Sequence, residues 1–319
     1  MLYLGEQDIK KIGVNWNETI DIIKRTVECL NHKDFSQPVK PYLRYGNQEN
    51  RIIAMPAFLG GEFDIAGIKW IASFPKNIKK SMPRAHSILI LNETRTGRPL
   101  CIINTALLSV IRTVSVSGLM IKFFDKARHL EKMNFGIVGW GPIGQYHYKM
   151  MCDLYSKRVK KISIFDILPV NKKLTKNKIN TAIVKNWQEA YRDSDIFAAC
   201  TASKNRYIDE EPKKGALILN ISLRDFKENI FEYVRDTIIV DDWNEVCREN
   251  TDIELMSKKK GLKEKHVKNM VDVVNKKYLE KISKDKPIMF NPMGMAVFDI
   301  AIAKYYFDKA KKNKIGQQL

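Results

Sequence analysis

Long apolar runs are missing from this sequence. None approaches eighteen residues, and the stretch from Cys101 to Ile111 is interrupted by Asn104, Thr105 and Ser109, so no membrane-spanning helix is expected. The opening residues, MLYLGEQDIKK, lack the basic-then-apolar layout of a secretory leader. Cysteine is scarce. The five residues, at 29, 101, 152, 200 and 247, are odd in number, scattered, and form no C-x-x-C pair. That argues against a disulfide framework or a zinc site and for reduced thiols in a cytoplasm; no metal is expected. There are five histidines. His86 and His147 are isolated singletons without an assigned catalytic role, His86 staying in reserve because it begins a strand. Internal repeats, low-complexity linkers, and zinc-finger, helix-turn-helix or RNA-binding signatures are also missing.

What is present is globular. Hydrophobic residues make up 45% and charged residues 29% of the 319 positions, values that support a packed core and a length that suits two domains. The formal net charge of +19 raises nucleic-acid binding as a possibility. The lysines are spread along the chain, however, and the densest run, 258–286, is interleaved with Glu, Asp and apolar residues at helical spacing. That pattern describes solvated helix faces, with a smaller part of the excess left for an anionic substrate. No nucleic-acid partner and no membrane are expected.

From residue 135 the pattern alternates strand and helix. FGIVG (135–139) precedes an amphipathic stretch from Ile143 to Tyr155. KISIFD (161–166), TAIV (181–184), a short helix near Trp187 to Arg192, DIFAACT (195–201), GALILNIS (215–222) and DTIIVDD (236–242) follow. Strands this apolar are buried on both faces, which predicts a parallel sheet with crossover helices, a doubly wound α/β domain. The first hundred residues read as an α+β layer, mostly antiparallel. A helix spans about Trp16 to His32, and strands lie at 51–58, 65–73, 86–93 and 99–104. A helical stretch from about Ala106 to Phe124 leads into the second domain, and a last helix, Met295 to Lys311, is expected to pack back on the first.

The stretch FGIVGWGPIG carries the chemistry. A strand runs into Gly139, Gly141 and Gly144, spaced G-x-G-x-x-G, and a helix follows through Pro142 and Ile143. Gly139 allows the tight turn, Gly141 lets the backbone approach a pyrophosphate, and Gly144 lets the helix pack close so that its amides face the phosphates. Asp166 ends the next strand 22 residues beyond Gly144. Its carboxylate suits ribose hydroxyls and repels a 2′-phosphate, and no arginine follows it directly, so NAD is favoured over NADP. A chance glycine cluster is the competing explanation, weakened by this context.

Ahead of that motif, KPYLRY with Arg44, RIIAMP with Met55, GIKWI with Lys69, Arg112–Thr113, and Asp225 after LNISL come in one order. In that order, over essentially the whole chain, they resemble the ornithine cyclodeaminase/μ-crystallin family. VDDW (240–243), CRE (247–249) and NPMGMA (291–296) are similar to one branch of it. That branch comprises dehydrogenases that cleave N-(2-amino-2-carboxyethyl)-L-glutamate to 2-oxoglutarate and 2,3-diaminopropionate for siderophores or peptide antibiotics. The resemblance implies a Rossmann NAD domain over residues 116–289, and a substrate-binding and dimerisation domain over 1–115 plus 290–319. The active site would lie in the cleft facing the nicotinamide. Arg44 and Arg112 would clamp carboxylates, Lys69 would act as acid/base beside the reacting carbon with Met55 nearby, and Asp225 would handle a second proton. Thr113, Thr201, Ser222, Met293 and Gly294 would line the cofactor. The types suit the chemistry, since an arginine fork matches a carboxylate and a lysine between Ile68 and Trp70 has reason for a lowered pKa. Taken singly, Lys69, Arg44 and Arg112 would otherwise read as surface charges and Asp225 as a helix cap.

One departure bears on substrate. Ile53 stands where cyclodeaminases carry an acidic residue for a distal amine, which argues against ornithine. VSVS after Thr113 also departs from the family's small-residue run, with no consequence that can be assigned. Another enzyme of the family (cyclodeaminase, alanine dehydrogenase or ketimine reductase) and a non-catalytic NAD-binding protein remain as alternatives.

Overall fold

The computed structural model describes residues 1–171, 175 and 179–319. Strand alternation builds the first sheet. In β4 (Arg51–Leu59) Ile53, Met55, Ala57 and Leu59 are buried, and in β6 (Ala85–Glu93) Ser87, Leu89 and Leu91 are. Between them runs β5 (Ile65–Ser73), antiparallel to both, and β7 (Pro99–Asn104) pairs antiparallel with β6. Short strands β2 (Phe35–Ser36) and β3 (Tyr42–Leu43) pair with β4. Strand β1 (Leu2–Gly5) adds to β7 in parallel, and β16 (Gln317–Gln318) closes the edge. Helix α1 is Glu6–Ile12. The buried face packs against α10 (Ala296–Asn313), which also contacts α2 (Trp16–Asn31). Asn15 accepts from the Glu18 amide and starts α2, a side-chain cap of the usual kind.

These elements form one unit, Met1–Ser115 with Gly294–Leu319; Val116–Met293 form the other. The return to the first unit therefore falls at Gly294 rather than residue 290, because Phe290 and Asn291 complete a strand of the second sheet. Helix α3 (Leu107–Arg128) carries the chain across the boundary. By length and composition it could cross a membrane, contrary to the sequence expectation, since Asn104 and Thr105 fall before it begins. Its most apolar window is 67% buried within the protein, as in a core helix.

The second unit holds a sheet whose described pairings are all parallel, of β8 (Met133–Val138), β9 (Val159–Phe165), β10 (Thr181–Ile183), β11 (Ile196–Ala199), β12 (Leu217–Asn220), β13 (Ile238–Val240), β14 (Lys268–Asn269) and β15 (Ile288–Asn291). The order is β10-β9-β8-β11-β12-β15-β13-β14. Helices α4 (Pro142–Tyr155), α5 (Trp187–Tyr191), α6 (Phe231–Val234), α7 (Trp243–Val246), α8 (Asp252–Lys260) and α9 (Met270–Asn275) lie between strands. From β8 the chain winds outward through β9 and β10, then returns to the other side of β8 with β11. The carboxyl end of β8 is thus the switch point at which doubly wound sheets bind ligands.

Candidate active site

Lys69 lies on the buried face of β5, opposite Met55 of β4 in register, and is 3% exposed. Its ammonium meets Asp299 of α10, Nζ to Oδ2 at 2.7 Å, and Arg112 of α3 donates from Nε to the other oxygen of Asp299 at 2.9 Å. Lys40, also buried, donates from Nζ to the Gly294 carbonyl at 2.8 Å. Gly294 is at φ +90°, and a Cβ there would stand 2.5 Å from Arg112 Nη1. Glycine both adopts that backbone and leaves the guanidinium its space. Burial pulls Lys69 down to about 8, Asp299 opposing this while Arg112 and Lys40 add to it. Burial pushes the Asp299 carboxyl up, but Arg112 and Lys69 outweigh it and hold the carboxyl below its ordinary value. Lys69 and Arg112 thus share one carboxylate away from water with Lys40 beside them, an arrangement that favours an anionic ligand.

In the second unit the glycine turn follows β8 directly. Gly139 is at φ +97°, and a Cβ there would reach 2.5 Å from the Cys200 carbonyl; a Cβ at Gly144 would reach 2.0 Å from the Gly139 carbonyl. A Cβ at Gly141 would meet nothing within 4 Å. The turn is packed shut where strand and helix touch and open where a pyrophosphate would lie. Gly141 caps α4, with Pro142 and Ile143 in its first turn. Asp166 Oδ2 accepts from the Trp140 amide at 2.5 Å and Oδ1 from the Leu168 amide at 2.7 Å, which ties the carboxylate to the loop. The Trp140 indole Nε1 is buried with no partner among the described residues. These features fit a dinucleotide, with the α4 amides facing phosphates and Asp166 beside a ribose. His147 is buried in α4, its Nδ1 2.9 Å from the Ile143 carbonyl, and burial pulls it down to about 4. It stays neutral at pH 7, while His86 is exposed on β6.

Asp225 does not cap a helix. It is fully buried in the loop after β12 and accepts hydrogen bonds from the Thr201 and Ser222 hydroxyls. Burial raises it to about 6, against the pull of those two hydrogen bonds, which brings its proton exchange close to neutrality. Thr201 and Ser222, expected along the cofactor, have their hydroxyls turned to this carboxylate.

Of the residues singled out from sequence, Lys69, Met55, Arg112 and Gly294 come together in the first unit, and Thr201, Ser222 and Asp225 in the second. Thr113 donates back to the Ser109 carbonyl at 2.8 Å within α3, and the Met293 amide donates to Asp241 at 3.0 Å. Arg44 lies over the Tyr42 ring at 5.5 Å and donates to the Gln48 carbonyl. Sequence reasoning missed Asp299 and Lys40. A lone acid inside the apolar helix stretch AVFDIAIA signals a buried, partnered carboxylate; Lys40 opens the KPYLRY motif, in which the family resemblance assigns a role only to Arg44.

An α+β unit with a buried lysine–arginine–aspartate cluster, joined to a doubly wound unit with an intact glycine turn, defines a dinucleotide-binding protein of two units. More particularly, the profile of the ornithine cyclodeaminase/mu-crystallin family matches residues 7–314, and the chain belongs to that family. It is 33% identical to N-((2S)-2-amino-2-carboxyethyl)-L-glutamate dehydrogenase of Staphylococcus aureus, an alignment covering 100% of this chain and 98% of the relative. Its fold is similar to Thermococcus litoralis Δ1-pyrroline-2-carboxylate reductase in complex with NADH and L-proline (TM-score 0.88, 22% identity, full coverage of both chains). It is also similar to an archaeal alanine dehydrogenase dimer with bound NAD (TM-score 0.86, 20% identity, 100% and 98% coverage).

Proposed function

We propose that the protein is an NAD-dependent amino-acid dehydrogenase whose substrate is N-(2-amino-2-carboxyethyl)-L-glutamate. The secondary amine, NAD⁺ and water give 2-oxoglutarate, L-2,3-diaminopropionate, NADH and a proton, a supply step for a siderophore or peptide product. The observation that carries this reading is the buried pair Lys69 and Arg112 sharing the Asp299 carboxylate beside Lys40, a cationic lining that suits a substrate rich in carboxylates. The full-length relative at 33% identity supports the same choice.

Bound NAD⁺ supplies the hydride acceptor, held by Gly139, Gly141, Pro142, Ile143, Gly144 and Asp166. Arg112, whose Nε is given to Asp299, turns its remaining donors to the substrate's α-carboxylate and fixes the reacting carbon. Arg44 binds a further carboxylate. Lys69, near 8, takes a proton from the water that adds to the substrate imine and returns it to the leaving amine. Asp225, near 6, relays the remaining proton. The five cysteines are free thiols, which together with NAD chemistry supports a cytoplasmic site of action. The test is a panel of amino acids with NAD⁺, followed by NADH absorbance. The tricarboxylic amine is expected to turn over with the highest kcat/KM; oxidation of alanine or proline with no response to it would sink the reading.

The sheet face opposite Lys69 supports a homodimer. Trp70 is 42% and Ile88 36% exposed, and they pair directly across β5 and β6, with Ile68 and Ile90 paired beside them. Neighbouring apolar side chains on an open sheet face are an association surface, and the alanine dehydrogenase of similar fold is a dimer. Trp70→Asp is expected to shift the sedimentation coefficient from dimer to monomer; a variant that stays dimeric would place the interface elsewhere.

A further inference from the structure

The loop after β12 that carries Ser222 and Asp225 is gripped on both sides of Asp225. Asp252, fully buried in the first turn of α8, donates its amide to the Leu223 carbonyl at 2.8 Å, and its Oδ2 accepts from the Phe226 amide at 3.3 Å. Asn220, the last residue of β12, closes the same frame. Its Oδ1 accepts from the Leu223 amide at 3.1 Å, and its Nδ2 donates to Asp252 Oδ2 at 3.0 Å and to Asn291 Oδ1 at 2.8 Å. Arg206 donates from Nε to the other Asp252 oxygen at 2.7 Å. Arg224, half-buried, donates from Nη1 to the Ser222 carbonyl at 3.2 Å and from Nη2 to the Glu249 carbonyl at 2.8 Å. CRE, which ends at Glu249, and NPMGMA, which begins at Asn291, thus both reach this frame.

The frame also holds backbone that its residues do not favour. Leu223, Glu249 and Asn250 are left-handed, at φ +63°, +62° and +58°. Leu223 is bonded through both its amide and its carbonyl, Glu249 through its carbonyl, and Asn250 through its carbonyl to Arg206 Nη2 at 2.7 Å. Non-glycine residues keep such backbone only where the surroundings impose it, and such strain collects at functional sites. We propose that Asp252 and Arg224 are positioning residues for Asp225, fixing the main chain around it so that its carboxyl stays on the Thr201 and Ser222 hydroxyls. This deepens the proposed reaction and rests on it for the part Asp225 plays in proton relay.

The same two residues act on Asp225 in opposite senses. Asp252 raises its value from α8, and Arg224 lowers it from its own loop, as the Thr201 and Ser222 hydroxyls do. Tyr207 and Cys200 also face it, and both are held neutral by burial and by its charge.

The test uses the full chain loaded with NADH, the Asp225 carboxyl being titrated by carbon NMR and assigned by its loss in Asp225→Asn. Asp225 should titrate below about 6 in Asp252→Asn, which removes the neighbouring negative charge, and above it in Arg224→Gln, which removes the positive one. Arg224→Lys, which keeps the charge, should bring it back towards the wild type. With NAD⁺ and N-(2-amino-2-carboxyethyl)-L-glutamate, kcat is expected to fall about tenfold to a hundredfold in Asp252→Asn and in Arg224→Gln, the effect of a displaced reacting group. KM should stay within about threefold, because Lys69 and Arg112 take no part in the frame. Asp225 titrating as in the wild type in the folded variants overturns the proposal and leaves the reaction standing. A kcat loss without that shift makes the frame a folding element only and overturns the proposal as well. If Asp252→Asn does not fold, Arg224→Gln decides by the same readout. Opposite shifts in the two variants, with no turnover of the amine by the wild type, overturn the reaction and leave the positioning of Asp225 standing.

Discussion

Asp299→Asn is expected to destabilise the protein by about 3 kcal/mol or more, the usual consequence of removing one partner from a buried ion cluster. Both oxygens of Asp299 are engaged, one by Lys69 and one by Arg112, and the group is 1% exposed. An asparagine would leave two buried cations facing each other, with Lys40 nearby. The variant also has a pH signature. Asp299 raises the Lys69 pKa, so its loss lowers that pKa further. If Lys69 acts as a base, kcat/KM rises with pH through about 8 in the wild type, and in the variant this limb moves to lower pH. Stability carries the same sign. Lys69 is depressed from an ordinary 10.5 to about 8, so its unfavourable contribution is fully present below about 8 and is relieved as pH rises towards 10.5. Denaturant titrations over that range measure it, and in Asp299→Asn the relief should begin at lower pH. Wild-type stability together with an unmoved rate profile would mean that Asp299 does not hold the cluster.

Lys69→Met separates chemistry from folding. Removing the ammonium leaves Arg112 paired with Asp299, and an unbranched apolar side chain of similar length fills the space between β5 and α10. Stability is expected to change little or to improve below pH 8, and the pH dependence described above should disappear. Activity is expected to fall by about a hundredfold to ten-thousandfold, the usual contribution of a positioned proton-transfer group. Activity within tenfold of the wild type would remove Lys69 from the mechanism.

The long strands and helices of the fold were legible because each has a clear period. Strands β4, β6 and β7 alternate inward and outward residues, β11 is apolar throughout, and β8, β9 and β12 contain the buried runs FGIV, ISI and LILN next to turn residues. Strand β15 was not legible. Its four residues, IMFN, are buried on every side, and a run that short has no period to read. β1 and α1 are similarly brief. At the site, Lys69, Arg112, Asp225 and the glycine turn could be named from local motif and family order, but their partners could not. Thr201 and Ser222 converge on Asp225 because β11 and β12 are adjacent and parallel, with Ala199 opposite Asn220, so the loops after both strands leave the sheet at one edge. Asp299 reaches Lys69 from a helix 230 positions later in the chain. Such pairings belong to tertiary packing, and residue spacing does not encode them.

The most direct measurement uses N-(2-amino-2-carboxyethyl)-L-glutamate deuterated at the glutamate Cα, with mass analysis of the nucleotide after turnover. Deuterium transferred to NADH, with 2-oxoglutarate and 2,3-diaminopropionate formed in equal amounts, is the result predicted for a substrate carbon held by Arg112 beside Lys69. Label retained in the amino-acid products, or NADH formed without it, would contradict that placement.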